Sequence, residues 1–168
     1  FRRLYLNQWT EQADRWLPMH LWDACKEQID WSEFRWRKCY VGMDLSSTRD
    51  LTALVAVFPD EAGGFDVLSE FFVPRDTMGE RTRRDRVPYD LWADQGALTL
   101  TPGDVVDYGY IRTWVTAQAQ RYRLEEVDFD PWNAQGLMSQ LQDDGATCVE
   151  ISQNIKSLSS PSKALETL

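Results

Sequence analysis

Three short runs rich in β-branched residues, 38–45 (KCYVGMDL), 51–58 (LTALVAVF) and 65–73 (FDVLSEFFV), follow one another with only turn-length gaps. Gaps that short leave no room for a crossover helix, so the runs predict three antiparallel strands in a meander. The break at 59–64 (PDEAGG) carries the Pro and Gly residues of a hairpin turn. Downstream the pattern alternates. Thr101 followed by Pro102 predicts a helix start, the helix running to about Arg123 with Val105, Tyr108, Ile111, Val115 and Tyr122 facing inward. Residues 124–130 (LEEVDFD) predict a fourth strand, 132–143 a second helix ended by Gly145, and 146–151 (ATCVEI) a fifth strand. A last helix is expected near Pro161, and the polar stretch 74–100 reads as irregular.

The resulting order, β-β-β-α-β-α-β-(α), is that of an α/β fold with an RNase H-like mixed sheet: three antiparallel strands, then αβαβ. Right-handed crossovers make strands four and five parallel to strand one. A helical, aromatic-rich arm precedes it. Pro18 can open a helix there, with Leu17, Leu21, Cys25 and Ile29 at helical spacing, and Trp9, Trp16, Trp22, Trp31 and Trp36 give it a large apolar surface in need of a partner. The domain reading is therefore an arm over 1–37 and an α/β domain over 38–168.

The net charge of −9 argues against a protein that coats nucleic acid indiscriminately, which would be basic. It leaves room for an enzyme that meets DNA through a local patch and holds cations in an acidic cleft. His20 is the only histidine, and Cys25, Cys39 and Cys148 are far apart, so neither a histidine base nor a zinc site is suggested. No apolar run is long enough to span a membrane. No G-x-x-x-x-G-K-[ST] phosphate loop occurs, so no ATP site is assigned.

Acidic chemistry remains. Asp44 ends strand one and Asp130 ends strand four, and in the proposed order those strands are parallel neighbours. Two acids distant in sequence then converge at the carboxyl edge of the sheet, where ligands of open α/β sheets collect. Paired carboxylates suit Mg²⁺ or Mn²⁺. Two such ions roughly 3.5–4 Å apart can clamp an in-line phosphoryl displacement. Taken singly, each acid has a structural reading: Asp44 as an Asx turn before Ser46, Asp130 as a cap before Pro131. Asp50 could reach the metal through water, against a role in fixing the loop between strands one and two, and Asp128, on the same face as Asp130, lies deeper and is a weaker ligand candidate. Glu70 reads as structural or solvated, and Trp132 as packing under the second helix. Arg81, Arg83, Arg84 and Arg86 are candidates for phosphate contact, against a solvated loop diluted by Asp76, Glu80 and Asp85.

Several segments resemble the large subunit of tailed-phage terminases of the HK97-like type. VGMDLSSTRDLTALVAVF (41–58) is similar to their first nuclease motif and DFDPWNAQGLMSQLQDDG (128–145) to their second. YDLWADQGALTLTPGDVVDYGYI (89–111) resembles the stretch between them, and FFVP (71–74) the end of strand three. RLYLNQWTEQADRWLPMHLWDAC (3–25) resembles the linker from the ATPase domain, and SQNIKSLSSPSKALETL (152–168) the region after strand five. The resemblance covers nearly the whole chain in order. It implies a metal-dependent endonuclease that cuts concatemeric double-stranded viral DNA in the host cytoplasm. Asp44 and Asp130 would be its catalytic metal-binding acids. A third acid is expected on a later helix, beyond Leu168. The small terminase subunit and the portal protein are the implied partners. Two alternatives remain open: a non-catalytic docking module, and another RNase H-like nuclease such as a transposase or resolvase, against which the linker-like segment argues.

Overall fold

The computed structural model describes residues 17–26, 28–46, 51–131 and 134–167. Trp9, Trp16, Asp50 and Trp132, named above, lie outside them. The meander is present: β1 (Lys38–Asp44) pairs antiparallel with β2 (Thr52–Pro59), and β2 with β3 (Phe65–Pro74). The hairpin between β2 and β3 closes through Asp60, whose side chain accepts the N–H of Gly64 at 2.7 Å, while Gly63 takes φ +89°. That left-handed geometry costs glycine nothing and most residues about 1 kcal/mol or more.

A strand absent from the sequence reading comes next. β4 (Thr99–Thr101) runs parallel to β3 and forms one edge of the sheet. Thr101 is therefore a buried strand residue rather than a helix cap, its carbonyl accepting the N–H of Arg75 at 2.8 Å. Gly103 at φ +85° turns the chain, and the helix waits for a better cap: the Asp107 side chain accepts the N–H of Gly109 at 2.8 Å. The stretch read as irregular holds two short helices, α2 (Met78–Asp85) and α3 (Tyr89–Asp94); α1 (Met19–Ala24) lies upstream in the arm. α4 (Tyr108–Arg121) leads into β5 (Arg123–Phe129), parallel to β1. α5 (Gln135–Asp143) ends near Gly145, at φ +93°, and β6 (Cys148–Glu150) lies parallel to β5. α6 (Ile155–Leu165) begins earlier than expected, because Asn154 caps it by accepting the N–H of Ser157 at 2.9 Å; Pro161 sits inside the helix.

The sheet order is β4-β3-β2-β1-β5-β6. Strict alternation in β1 and β2 sends Cys39, Val41, Met43, Leu54, Ala56 and Phe58 to one face. There they meet Ile111 and Val115 of α4 and Leu137, Met138 and Leu141 of α5. The opposite phase, including Gly42, Val55 and Val57, is half-buried.

The arm is less helical than its periodicity suggests. α1 has six residues and buries none of them. Aromatic packing ties the rest of the described arm to the sheet: in a 3-10 turn at Trp31–Phe34, Phe34 is 7% exposed, and Phe58 takes the Trp31, Phe34 and Tyr122 rings at 5.7, 5.3 and 4.7 Å between centroids. Trp36, at a left-handed φ of 67°, donates its N–H to the carbonyl of Arg121, and Arg37 lies over the Phe34 ring while pairing with Asp66 at 3.1 Å. Core packing thus begins before residue 38.

Cys39 offers a check on this core. It is fully buried, and burial pushes its thiol up to about 11, whereas Cys25 is exposed. At pH 8 such a thiol is only about 0.1% thiolate, the reactive form. An aromatic disulfide reagent is expected to label Cys25 promptly and Cys39 only in denaturant. Prompt labelling of Cys39 in native buffer would contradict the packing.

Candidate active site at the carboxyl edge of the sheet

The parallel register of β1 and β5 aligns Met43 with Phe129, both on the helix-covered face. The next residue on each strand path is Asp44 and Asp130. Asp44 is the last residue of β1, in the phase opposite Met43, and Asp130 follows the last residue of β5, on a path about 4.8 Å from that of β1. Asp44 is exposed and Asp130 half-buried. The Oδ2 of Asp130 accepts the N–H of Gln153 at 3.1 Å, which orients its carboxylate. That contact follows from the pairing of β6, since Ile151 donates its N–H to the carbonyl of Phe129 at 2.8 Å and carries residues 151–154 past the end of β5. The loop after Asp44 is anchored by Thr52, fully buried, whose hydroxyl accepts the N–H of Ser46 at 3.1 Å. Neither Gln153 nor Thr52 was legible in the sequence. Gln153 contributes a backbone amide, which no side-chain pattern reports.

Asp128, two residues before Asp130, lies between Gly42 of β1 and Val149 of β6. The missing side chain of Gly42 leaves open space there: a Cβ would meet nothing within 4 Å. Asp128 Oδ1 is buried and has no hydrogen-bond partner among the described residues. Burial first, and then the nearby Glu126 carboxylate, raise its carboxyl above the ordinary range. The native state therefore holds the proton more tightly than the unfolded chain. The cost is absent at low pH, grows as pH rises through the native pKa, and is fully present above it. Asp128→Asn is expected to raise the melting temperature at neutral pH, with the gain shrinking near pH 4. A gain that is constant with pH would refute this.

The arginines divide. β3 and β4 run parallel to β1, so their carboxyl ends, and the α2–α3 insertion between them, emerge at the same edge as Asp44 and Asp130. Arg81 is buried at 4% exposure and donates Nε to the Thr77 hydroxyl at 3.1 Å, so it is not offered to a ligand. Arg84 grips Asp85 through two bonds of 2.6 and 2.8 Å. Arg83 and Arg86 are exposed, with no ion pair among the described residues. Glu70 accepts the Thr99 hydroxyl, a structural tie between β3 and β4. Among the described residues no group of three or more His, Cys, Asp or Glu side chains is arranged to hold a metal ion.

A six-stranded mixed sheet with antiparallel β1–β3, parallel β5 and β6, and α4 and α5 packed on one face defines an α/β domain of the RNase H-like class. The chain belongs to the terminase large subunit endonuclease domain family, whose model matches residues 1–168. It is 33% identical over its full length to the terminase large subunit of Enterobacteria phage HK97, covering 33% of that protein. It is 29% identical to protein YmfN of Escherichia coli K12, over 99% of this chain and 38% of YmfN. The crystal structure of the HK97 bacteriophage large terminase superposes with a TM-score of 0.79 at 32% identity, covering 92% of this chain and 32% of that one. The chain thus spans roughly a third of the length of these relatives.

Proposed function

We propose that this chain is the cutting module of a viral DNA-packaging machine, an endonuclease that hydrolyses phosphodiester bonds of concatemeric double-stranded DNA. The observation that supports the reading is the parallel register of Met43 with Phe129, the residues that Asp44 and Asp130 directly follow. An all-oxygen donor pair of this kind, beside the unpartnered Asp128 oxygen and the space over Gly42, fits Mg²⁺ or Mn²⁺, which keep several waters. Asp44 and Asp130 would hold the ions, which when bound would supply activation of the attacking water and stabilisation of the leaving 3′-oxygen. The backbone of Gln153 fixes the Asp130 carboxylate, and Thr52 fixes the loop that follows Asp44. Arg83 and Arg86, at the same edge, grip backbone phosphates and give no sequence preference. Asp128 and Asp50 act through water rather than as direct ligands.

In the intact protein the arm over 1–37 links this domain to an ATPase domain, and a third acid arrives from a later helix. The small terminase subunit and the portal select the cut site, in the host cytoplasm. Among the described residues no helix is long and apolar enough to cross a membrane. Incubating the full-length protein with supercoiled plasmid tests the core of this reading. Nicking and linearisation are expected with Mn²⁺ and not with chelator, and cutting that persists in chelator would overturn it.

A further inference from the structure

A groove runs along α4 on the side facing β3 and β4, away from the paired acids. Its floor includes Glu70 and Thr99, and its wall is formed by Tyr110, Trp114, Gln118 and Arg121 on successive turns of the helix. Gln118 is the anomaly. It is 4% exposed, yet its Oε1 has no hydrogen-bond partner among the described residues. Its amide orientation is fixed, because Nε2 donates to the carbonyl of Trp114 at 3.2 Å and a flip would set two acceptors against each other. A buried acceptor left without a donor costs about 1–3 kcal/mol, so a glutamine kept there needs an explanation.

We propose that this groove binds an arginine side chain presented by a partner polypeptide, independently of the nuclease reading. The lining matches a guanidinium better than other cations. It supplies acceptors on two sides, Gln118 Oε1 and the half-buried Glu70 carboxylate, whose known bond is to the Thr99 hydroxyl. It supplies aromatic faces in Trp114 and Tyr110 for a flat cation to lie against. A guanidinium has donors spread in a rigid fork that suits two separate acceptors, and it is shed of water more easily than an ammonium. Asp107, at the mouth, adds negative charge while capping α4. Arg121 opposes the incoming charge from one turn beyond Gln118. The guanidinium therefore sits at the Glu70 side, and its contact with the buried Oε1 requires a neighbouring side chain to give way.

The test is a calorimetric or NMR titration of the 168-residue chain with end-blocked Gly-Arg-Gly. The same peptide with lysine, or with citrulline as the neutral isostere, serves as the comparison. Arginine is expected to bind, with citrulline and lysine each weaker by about tenfold or more, the scale of one charge-assisted hydrogen bond. Gln118→Leu and Glu70→Gln are each expected to weaken arginine binding by about tenfold, and Arg121→Gln to tighten it. Gln118→Leu should keep or raise the melting temperature, since it removes an unpartnered buried acceptor. If it fails to fold, Glu70→Gln carries the test alone. Absence of arginine binding, equal binding of citrulline or lysine, or binding unchanged in Glu70→Gln would overturn the proposal.

Discussion

Asp130→Asn in the full-length protein is expected to reduce Mn²⁺-dependent plasmid cutting on the order of 10³-fold or more, and Asp44→Ala to do the same. The asparagine is the informative choice. It keeps a side-chain oxygen to accept the Gln153 N–H, so the local fold around residues 151–154 survives. It loses the negative charge a hard cation requires. Folding stability should therefore shift by less than about 1 kcal/mol, as for substitutions that break no core contact. A structural cap would show the reverse, a lower melting temperature with cutting retained. Calorimetry with Mn²⁺ alone separates the roles further: both variants should lose heat of binding in parallel with cutting. Wild-type rates in both variants would remove Asp44 and Asp130 from the chemistry altogether.

Phe58→Ala is expected to be the most damaging core substitution, lowering stability by about 3–5 kcal/mol in urea denaturation. Phe58 is fully buried at the end of β2 and touches three other rings. Two of them, Trp31 and Phe34, come from the arm, and the third, Tyr122, closes α4. Its loss therefore frees the arm and opens the core together. Limited proteolysis should show the coupling, with cleavage between residues 26 and 38 rising in the variant. A variant that loses stability while the arm stays protected would mean that Arg37 and Trp36 hold the arm by themselves.

The parts of this structure legible in the sequence are those governed by short-range pattern. Short apolar runs rich in β-branched residues gave β1 and β2 nearly to the residue, and gap lengths gave their antiparallel pairing. Strand order also put the ends of β1 and β5 side by side, as the register of Met43 with Phe129 has them. What stayed hidden was set by tertiary contact. Thr99–Thr101 is too short to show a period, and it is a strand only because β3 offers it an open edge. Thr101-Pro102 has the composition of a helix start, but the partner strand claims Thr101, and Asp107 caps the helix instead. Periodicity in the arm promised a long helix, whereas Phe34 and Trp31 pull the chain down onto Phe58. The arginine cluster looked uniform as letters; burial of Arg81 and the Asp85 grip on Arg84 reduce it to Arg83 and Arg86.

The hairpin at Asp60–Gly64 has a practical consequence. β2 starts beside Asp44 and runs antiparallel to β1, so its eight residues carry the chain roughly 25 Å to the opposite rim before the turn. That turn is exposed and anchored locally by Asp60. A fluorophore or affinity peptide inserted at Glu61–Ala62 would ride on the rim remote from the acids. Such a label would report on the domain while leaving the edge that carries Asp44 and Asp130 unobstructed.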